Sequence, residues 1–105
     1  MSQTRVHHLV QSEFADARSW YAGRSPLAAV NFALRFDAAL NRLEVNPRSH
    51  APWRAIFRRV RLARFPYLLL FHTDHHFTSV LALVHSRREP AQAAAIAVKR
   101  LTQFG

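Results

Sequence analysis

The chain has no cysteine, a single lysine and two glycines, and each scarcity narrows its class. Without cysteine there is neither a disulfide framework nor a thiolate site. With few glycines and half of its 105 residues hydrophobic, the composition is that of a compact chain of one domain, residues 1–105, and not of a disordered one. No apolar run approaches the roughly 18 residues that span a membrane, and the N-terminus is too polar for a signal peptide. We therefore expect a cytoplasmic protein.

Positive charge is abundant and comes almost entirely from arginine. The formal net charge is +9, with 14 arginines beside the one lysine. A preference for arginine codons would explain that ratio, but it would not explain clustering. Between Val45 and Thr73 there are six arginines and no acidic residue. Such a surface favours an acidic protein or a nucleic acid as partner.

The first half of the chain predicts a strand followed by a helical hairpin. Val6–Val10 has the pattern of a short opening strand, and Ser12 is a suitable cap for a first helix. Gly23 interrupts the helical pattern. Ser25, followed directly by proline, then caps a second helix that continues to about Val45.

The second half predicts three strands and a closing helix. Apolar residues alternate with arginines from Ile56 to Leu62, a pattern typical of a half-buried strand with a basic outer face. Arg58 breaks this alternation, because it lies on the same side of the strand as Ile56 and Val60. Either it points toward the apolar side, or a bulge resets the register. Pro66–His72 and Phe77–His85 predict two further strands, and the alanine-rich segment from Pro90 to about Phe104 predicts a helix.

This order of elements indicates an α+β fold with a mainly antiparallel sheet. Pro66–His72 and Phe77–His85 are apolar on both faces, because successive residues of a strand point to opposite sides. The helical hairpin can cover one face only. We therefore expect an exposed apolar face that requires a partner.

Two short motifs carry a family resemblance. The segments Arg64–Tyr67 (Arg-Phe-Pro-Tyr) and His85–Pro90 (His-Ser-Arg-Arg-Glu-Pro), set in this order of elements, resemble the RelE/ParE superfamily of bacterial type II toxins. The resemblance covers nearly the whole chain. It implies a RelE/ParE-like fold without a cofactor and an acidic antitoxin that covers the sheet and the hairpin in a hetero-oligomer.

The resemblance leaves two activities open. RelE-like members cleave mRNA on the ribosome with lysines and arginines of the sheet and a tyrosine near the C-terminus, whereas ParE-like members poison DNA gyrase. Here no tyrosine follows Tyr67, and the only lysine is Lys99 in the last helix. The ParE branch is therefore the closer one, and it predicts an inhibitor that performs no chemistry. The alternatives are an mRNA endoribonuclease that uses Arg64, His85 and Arg87, and a basic nucleic-acid-binding module.

The three predicted strands should pair in sequence as an antiparallel meander. Its turns bring Arg64, Tyr67, His85 and Arg87 to one edge of the sheet, and this cluster predicts a contact site. Like charges held together are unfavourable unless an anion answers them. The full set predicted to bind target or antitoxin is Arg58, Arg59, Arg61, Arg64, Tyr67, His85, Arg87 and Arg88.

We expect no metal site. The cluster of His72, His75 and His76 has only Asp74 beside it as a further ligand, and His7 and His8 should point to opposite sides of the opening strand.

Overall fold

The computed structural model describes residues 3–104 and confirms the α+β class. The elements are β1 (Gln3–Val6), α1 (His8–Ala22), α2 (Pro26–Val45), a 3-10 turn (Pro47–Ser49), β2 (Pro52–Arg54), β3 (Phe57–Arg61), β4 (Tyr67–Thr73), β5 (Phe77–His85) and α3 (Pro90–Leu101). They build one sheet in the order β1-β5-β4-β3-β2. β1 is parallel to β5 and the other neighbours are antiparallel, so the sheet is mixed.

The opening strand and the first helix begin earlier than predicted. The strand ends at Val6, and the helix starts at His8 instead of following Ser12. His7 caps the helix, because its ring Nδ1 accepts a hydrogen bond from the backbone N of Leu9 at 3.2 Å. The rings of His7 and His8 stack with their centroids 4.4 Å apart, so the expected placement on opposite sides of a strand was wrong.

The second helix begins as predicted. Ser25 Oγ accepts a hydrogen bond from the backbone N of Ala28 at 3.4 Å, and Pro26 occupies the first helical position. A proline at this position costs no hydrogen bond, because the first N–H groups of a helix have no partner within it. The α1–α2 hairpin is thereby confirmed.

The short edge strand β2 was missed. It follows a proline-rich loop and contains only three residues, so it carries no periodic signal. Its turn into β3 places Ala55 at φ 48°, a left-handed conformation in which glycine is usual. Register is continuous along β3, and Arg58 shares the hairpin side with Val60. Arg58 Nη1 there donates a hydrogen bond to the backbone O of His50 at 2.7 Å, so the out-of-phase arginine does point inward.

Both faces of the sheet are covered by this chain itself. The α1–α2 hairpin packs on one face through a cluster that includes Phe32, Leu43, Leu69, Phe71 and Leu83. On the other face α3 presents Ala93 and Ala97 to the strands. Alanine has no side chain beyond Cβ, so a helix can lie close to the sheet. The expectation that a sheet face lies exposed was therefore wrong.

A bulge in β5 helps α3 to pack. Leu70 pairs with Ala82 and Phe71 pairs with Val80, which leaves Leu81 as an extra residue. The bulge places Leu81 and Ala82 together on the α3 side, whereas strict alternation would separate them.

Among residues 3–104, most of the large exposed apolar side chains lie on the helices, and the exceptions are Val6 of β1 and Ile56 in the turn between β2 and β3. Leu27, Val30 and Leu34 of α2 are 67%, 52% and 61% exposed. Their spacing of three and four residues puts them on one face of the helix. No helix among residues 3–104 is both long and apolar enough to cross a membrane.

Candidate functional site

The site begins where β1 stops pairing with β5. The parallel ladder ends at Val80, whose backbone O accepts a hydrogen bond from the N of His7 at 2.9 Å. Beyond Val80, side chains instead of a neighbouring strand form hydrogen bonds with the backbone of β5. Arg100 Nη1 donates to the backbone O of Leu81 at 3.0 Å, and Glu13 Oε1 accepts from the backbone N of Leu83 at 3.0 Å.

Glu13 and Arg100 also pair with each other. Their Oε1–Nη1 distance is 2.8 Å, and both side chains are largely buried. The pair joins α1 and α3 across the edge of β5, so it satisfies backbone groups that would otherwise lack partners there.

An open groove of about 950 Å³ lies next to this edge, between α1 and the start of α3. Its lining includes three of the six acidic residues of the chain, Glu13, Asp16 and Glu89. The other lining residues are Ala17, Trp20, Tyr21, Pro66, Tyr67, Leu83, Val84, His85, Arg87, Arg88 and Gln92. The groove is thus of mixed charge with an apolar floor.

Tyr67 and His85 are two ring-bearing residues of this lining. They are paired across β4 and β5, and their rings lie 5.2 Å apart at 71°. Burial raises the pKa of Tyr67, and burial together with the nearby Tyr67 raises the pKa of Tyr21. Both phenols therefore remain protonated at neutral pH.

The turn after β5 presents Arg87 and Arg88 at the mouth of the groove. His85 holds the turn in two ways: its Nδ1 accepts from the N of Arg87 at 3.1 Å, and its backbone O accepts from the N of Arg88 at 2.9 Å. The backbone N of Ser86 donates to the O of Pro66 at 2.8 Å, which ties the turn to the start of β4. Both arginines are exposed.

The structure divides the predicted contact residues into two groups and leaves Arg64 outside both. Tyr67, His85, Arg87 and Arg88 line the groove. Arg64 is exposed in the turn between β3 and β4, at φ 70°, and is not among the side chains that line the groove. The remaining three predicted residues, Arg58, Arg59 and Arg61, lie on β3.

We call this second group, with two neighbours, the arginine edge: Arg42, Arg54, Arg58, Arg59 and Arg61. β4 separates β3 from β5, a distance of about 10 Å at the usual spacing of strands. Arg42 Nη2 donates to the backbone O of Arg61 at 2.7 Å, which joins the end of α2 to β3. Within residues 3–104 the one ion pair is Glu13–Arg100, so no carboxylate neutralises the arginine edge.

Three residues of the groove wall were missed from the sequence. Glu13, Asp16 and Trp20 lie at spacings of three and four along α1. Each comes one position before a residue of the stripe that packs inward, which consists of the buried Ala17 and the partly buried Phe14 and Tyr21. Trp20 is 56% exposed, and the Arg24 guanidinium lies 4.1 Å from the centre of its ring. An exposed tryptophan on a helix with acidic residues at helical spacing was the available signal.

Comparison with known proteins agrees with this architecture. The family described as "ParE toxin of type II toxin-antitoxin system, parDE" matches residues 5–90. Proteins named Toxin ParE2 from two strains of Mycobacterium tuberculosis are each 29% identical over 87 residues, which cover 82% of this chain and 83% of the relative. The chain therefore belongs to the ParE family of toxins of type II toxin–antitoxin systems.

Proposed function

We propose that this toxin acts in the cytoplasm by binding DNA gyrase directly through the groove, and that an acidic antitoxin neutralises it. Membership of the ParE family supports the toxin role. Within the groove, Tyr67, His85, Arg87 and Arg88 are the contact residues of this proposal. An open, partly apolar groove rimmed by two arginines suits a protein surface better than a small substrate.

The main support for binding, as opposed to catalysis, is that polar groups of the groove are already held by hydrogen bonds within the chain. RNA cleavage through the 2′-OH needs a base and an acid with pKa values near neutrality. Glu13 is held by Arg100 and Leu83, and the Nδ1 of His85 is held by the Arg87 amide. The phenols of Tyr21 and Tyr67 are protonated at neutral pH, and burial raises their pKa values further, so neither can serve as the base. Arg64, a member of the alternative ribonuclease set, does not line the groove.

The antitoxin needs a surface of its own, and the exposed face of α2 supplies one. Leu27, Val30 and Leu34 span about 10 Å along the helix at 1.5 Å per residue. An amphipathic helix recognises apolar residues at this spacing, and acidic side chains on its flanks would complement the net charge of +9. This surface takes the place of the exposed sheet face expected from the sequence.

A supercoiling assay with purified DNA gyrase tests the target. The isolated toxin should inhibit supercoiling, and mRNA on translating ribosomes should remain uncut. We expect a small acidic protein to be encoded next to the toxin gene, and its addition should restore supercoiling. Site-specific mRNA cleavage with unaffected gyrase would reverse the assignment in favour of a ribonuclease.

A paired substitution tests the antitoxin surface. Leu27→Gln with Leu34→Gln should weaken antitoxin binding by tenfold or more, since burial of one leucine contributes about 1.5–3 kcal/mol. Val98→Gln on α3 is the matched control, because Val98 is 53% exposed and lies on another helix. Equal loss of affinity in both variants would place the antitoxin elsewhere.

A further inference from the structure

We propose that the arginine edge binds the sugar–phosphate backbone of nucleic acid. This site is separate from the groove and does not depend on gyrase being the target. The expected partner is duplex DNA, recognised through its phosphates and without base specificity.

The first argument is uncompensated charge. Five guanidinium groups lie at one end of the sheet, and the chain from Val45 to Thr73 contains no acid. The side chains of Arg54, Arg59 and Arg61 make no hydrogen bond, ion pair or ring contact with any residue between 3 and 104. Cations held in this way repel one another, and an anionic partner would relieve the repulsion.

The second argument is preorganisation. Arg59 and Arg61 are alternate residues of β3, so their side chains leave the same face of the strand about 7 Å apart. Arg58 lies on the opposite, hairpin side of β3, and Arg42 comes from α2, so these two border the surface that Arg59 and Arg61 form. Each is fixed by one hydrogen bond to a backbone oxygen, of Arg61 for Arg42 and of His50 for Arg58. A guanidinium has five N–H donors, so each retains donors for a phosphate oxygen.

The third argument distinguishes nucleic acid from an acidic protein. Protein interfaces have an apolar core inside a polar rim. Among the described residues of β2, β3 and their turn, Ile56 is the only large apolar side chain that is exposed. Phosphate recognition needs no apolar core, because charge neutralisation and counterion release supply the affinity.

The position on the sheet has a functional consequence. The arginine edge lies toward the β2 side, whereas the groove lies beside β5. A partner in the groove would therefore leave the arginine edge open. A toxin bound to its protein partner could hold nucleic acid at the same time.

The test measures binding of a fluorescent 20-base-pair duplex of random sequence at several salt concentrations. The full chain should bind with an affinity that falls steeply as salt rises. The variant Arg54→Gln/Arg59→Gln/Arg61→Gln should bind about tenfold or more weakly at low salt, and its log–log salt slope should be shallower by about 2.7, or 0.9 for each lost phosphate contact.

The matched control removes three positive charges elsewhere: Arg18→Gln/Arg24→Gln/Lys99→Gln, on or beside α1 and α3. Its slope should stay close to that of the unaltered chain. Equal loss in both triple variants would show that net charge alone attracts DNA, which would overturn the proposal. So would an arginine-edge variant that keeps its DNA slope but loses affinity for a glutamate-rich peptide, because the site would then serve an acidic protein.

Discussion

The groove and the arginine edge use the same residue type in opposite ways. In the groove, Arg87 and Arg88 share the lining with three carboxylates and several apolar side chains. On the arginine edge, no carboxylate of residues 3–104 forms an ion pair with the guanidinium groups. Mixed charge around an apolar floor favours a shaped protein partner, whereas charge of one sign favours a polyanion. The environment of the arginines, more than their number, indicates the partner.

The two regions are also held in place differently. The groove wall depends on the Glu13–Arg100 pair, which bridges two helices and the edge of β5. The arginine edge depends on single hydrogen bonds to backbone oxygens beside an antiparallel ladder. Substitutions in the groove should therefore lower the free energy of unfolding more than substitutions on the arginine edge.

The largest effect should come from Glu13→Ala. It leaves Arg100 without its carboxylate and the N of Leu83 without an acceptor, and loss of one member of a largely buried pair costs about 3 kcal/mol. Urea unfolding measures the change. Glu13→Gln should lower the free energy of unfolding less, because its amide oxygen can still accept a hydrogen bond. Asp16→Asn, at an exposed position, should have a free energy of unfolding within about 0.5 kcal/mol of that of the parent. A neutral Glu13→Ala would show that the pair does not hold the wall.

The next effect should be on binding. Arg87→Ala with Arg88→Ala should weaken gyrase inhibition about 10- to 100-fold, the effect of losing one hydrogen bond to a charged group at roughly 1.5–3 kcal/mol. The thermal midpoint should stay unchanged or rise slightly, because two exposed like charges are removed.

The Lys pair separates charge from geometry in that experiment. Arg87→Lys with Arg88→Lys keeps the charge but loses the planar fork, so inhibition should be intermediate. If the Ala pair unfolds while the Lys pair is fully active, these arginines serve the fold and the contact assignment is wrong.

A smaller effect concerns pH and His7. Burial, followed by the nearby His8 and Arg100, lowers the pKa of His7, while Glu13 opposes the shift. The unfolded chain therefore binds a proton more readily than the folded chain as pH falls below about 6.5, so the free energy of unfolding should decrease there. Protonation of Nδ1 would also remove the cap of α1.

His7→Asn keeps an acceptor at the cap and cannot titrate. Its free energy of unfolding should therefore depend less on pH between 7 and 5 than that of the parent, as measured by urea unfolding. His75→Asn, at an exposed position, is the control. An unchanged pH dependence in His7→Asn would mean that another group is responsible.

The smallest effect should come from Arg64→Gly. Arg64 lies at φ 70°, where glycine avoids a clash of Cβ, so the variant should be more stable by about 0.5–1 kcal/mol. Ala63→Gly in the same turn has no such strain to relieve and should be destabilising. Since Arg64 does not line the groove, gyrase inhibition should survive Arg64→Gly. A large loss would extend the contact surface to this turn.

Local signals predicted much of the fold. Ser25 followed by Pro26 predicted the start of α2, and the apolar runs predicted β4 and β5 to within a residue. Arg64 was grouped with Tyr67 and His85 because a meander brings its turns together. Sequence cannot show that its side chain stays outside the groove, since that depends on the conformation of one turn.

Other features had no local signal. The histidine cap depends on packing of the ring against His8 and against Phe104, which follows α3. A three-residue strand such as β2 is too short to show a period. The bulge at Leu81 breaks the alternation from which side-chain directions were inferred, so the face of each β5 residue could not be predicted.

The sequence by itself determined the class of the fold, the excess of arginine and the family, because periodicity, composition and short motifs are local properties. Tertiary structure alone decided that α3 covers the second sheet face, that Glu13 and Arg100 complete the edge of β5, and that the arginines form two separate groups. The physical reason is distance along the chain. Glu13 and Arg100 are 87 residues apart in the sequence, and only the folded chain brings them to 2.8 Å from each other.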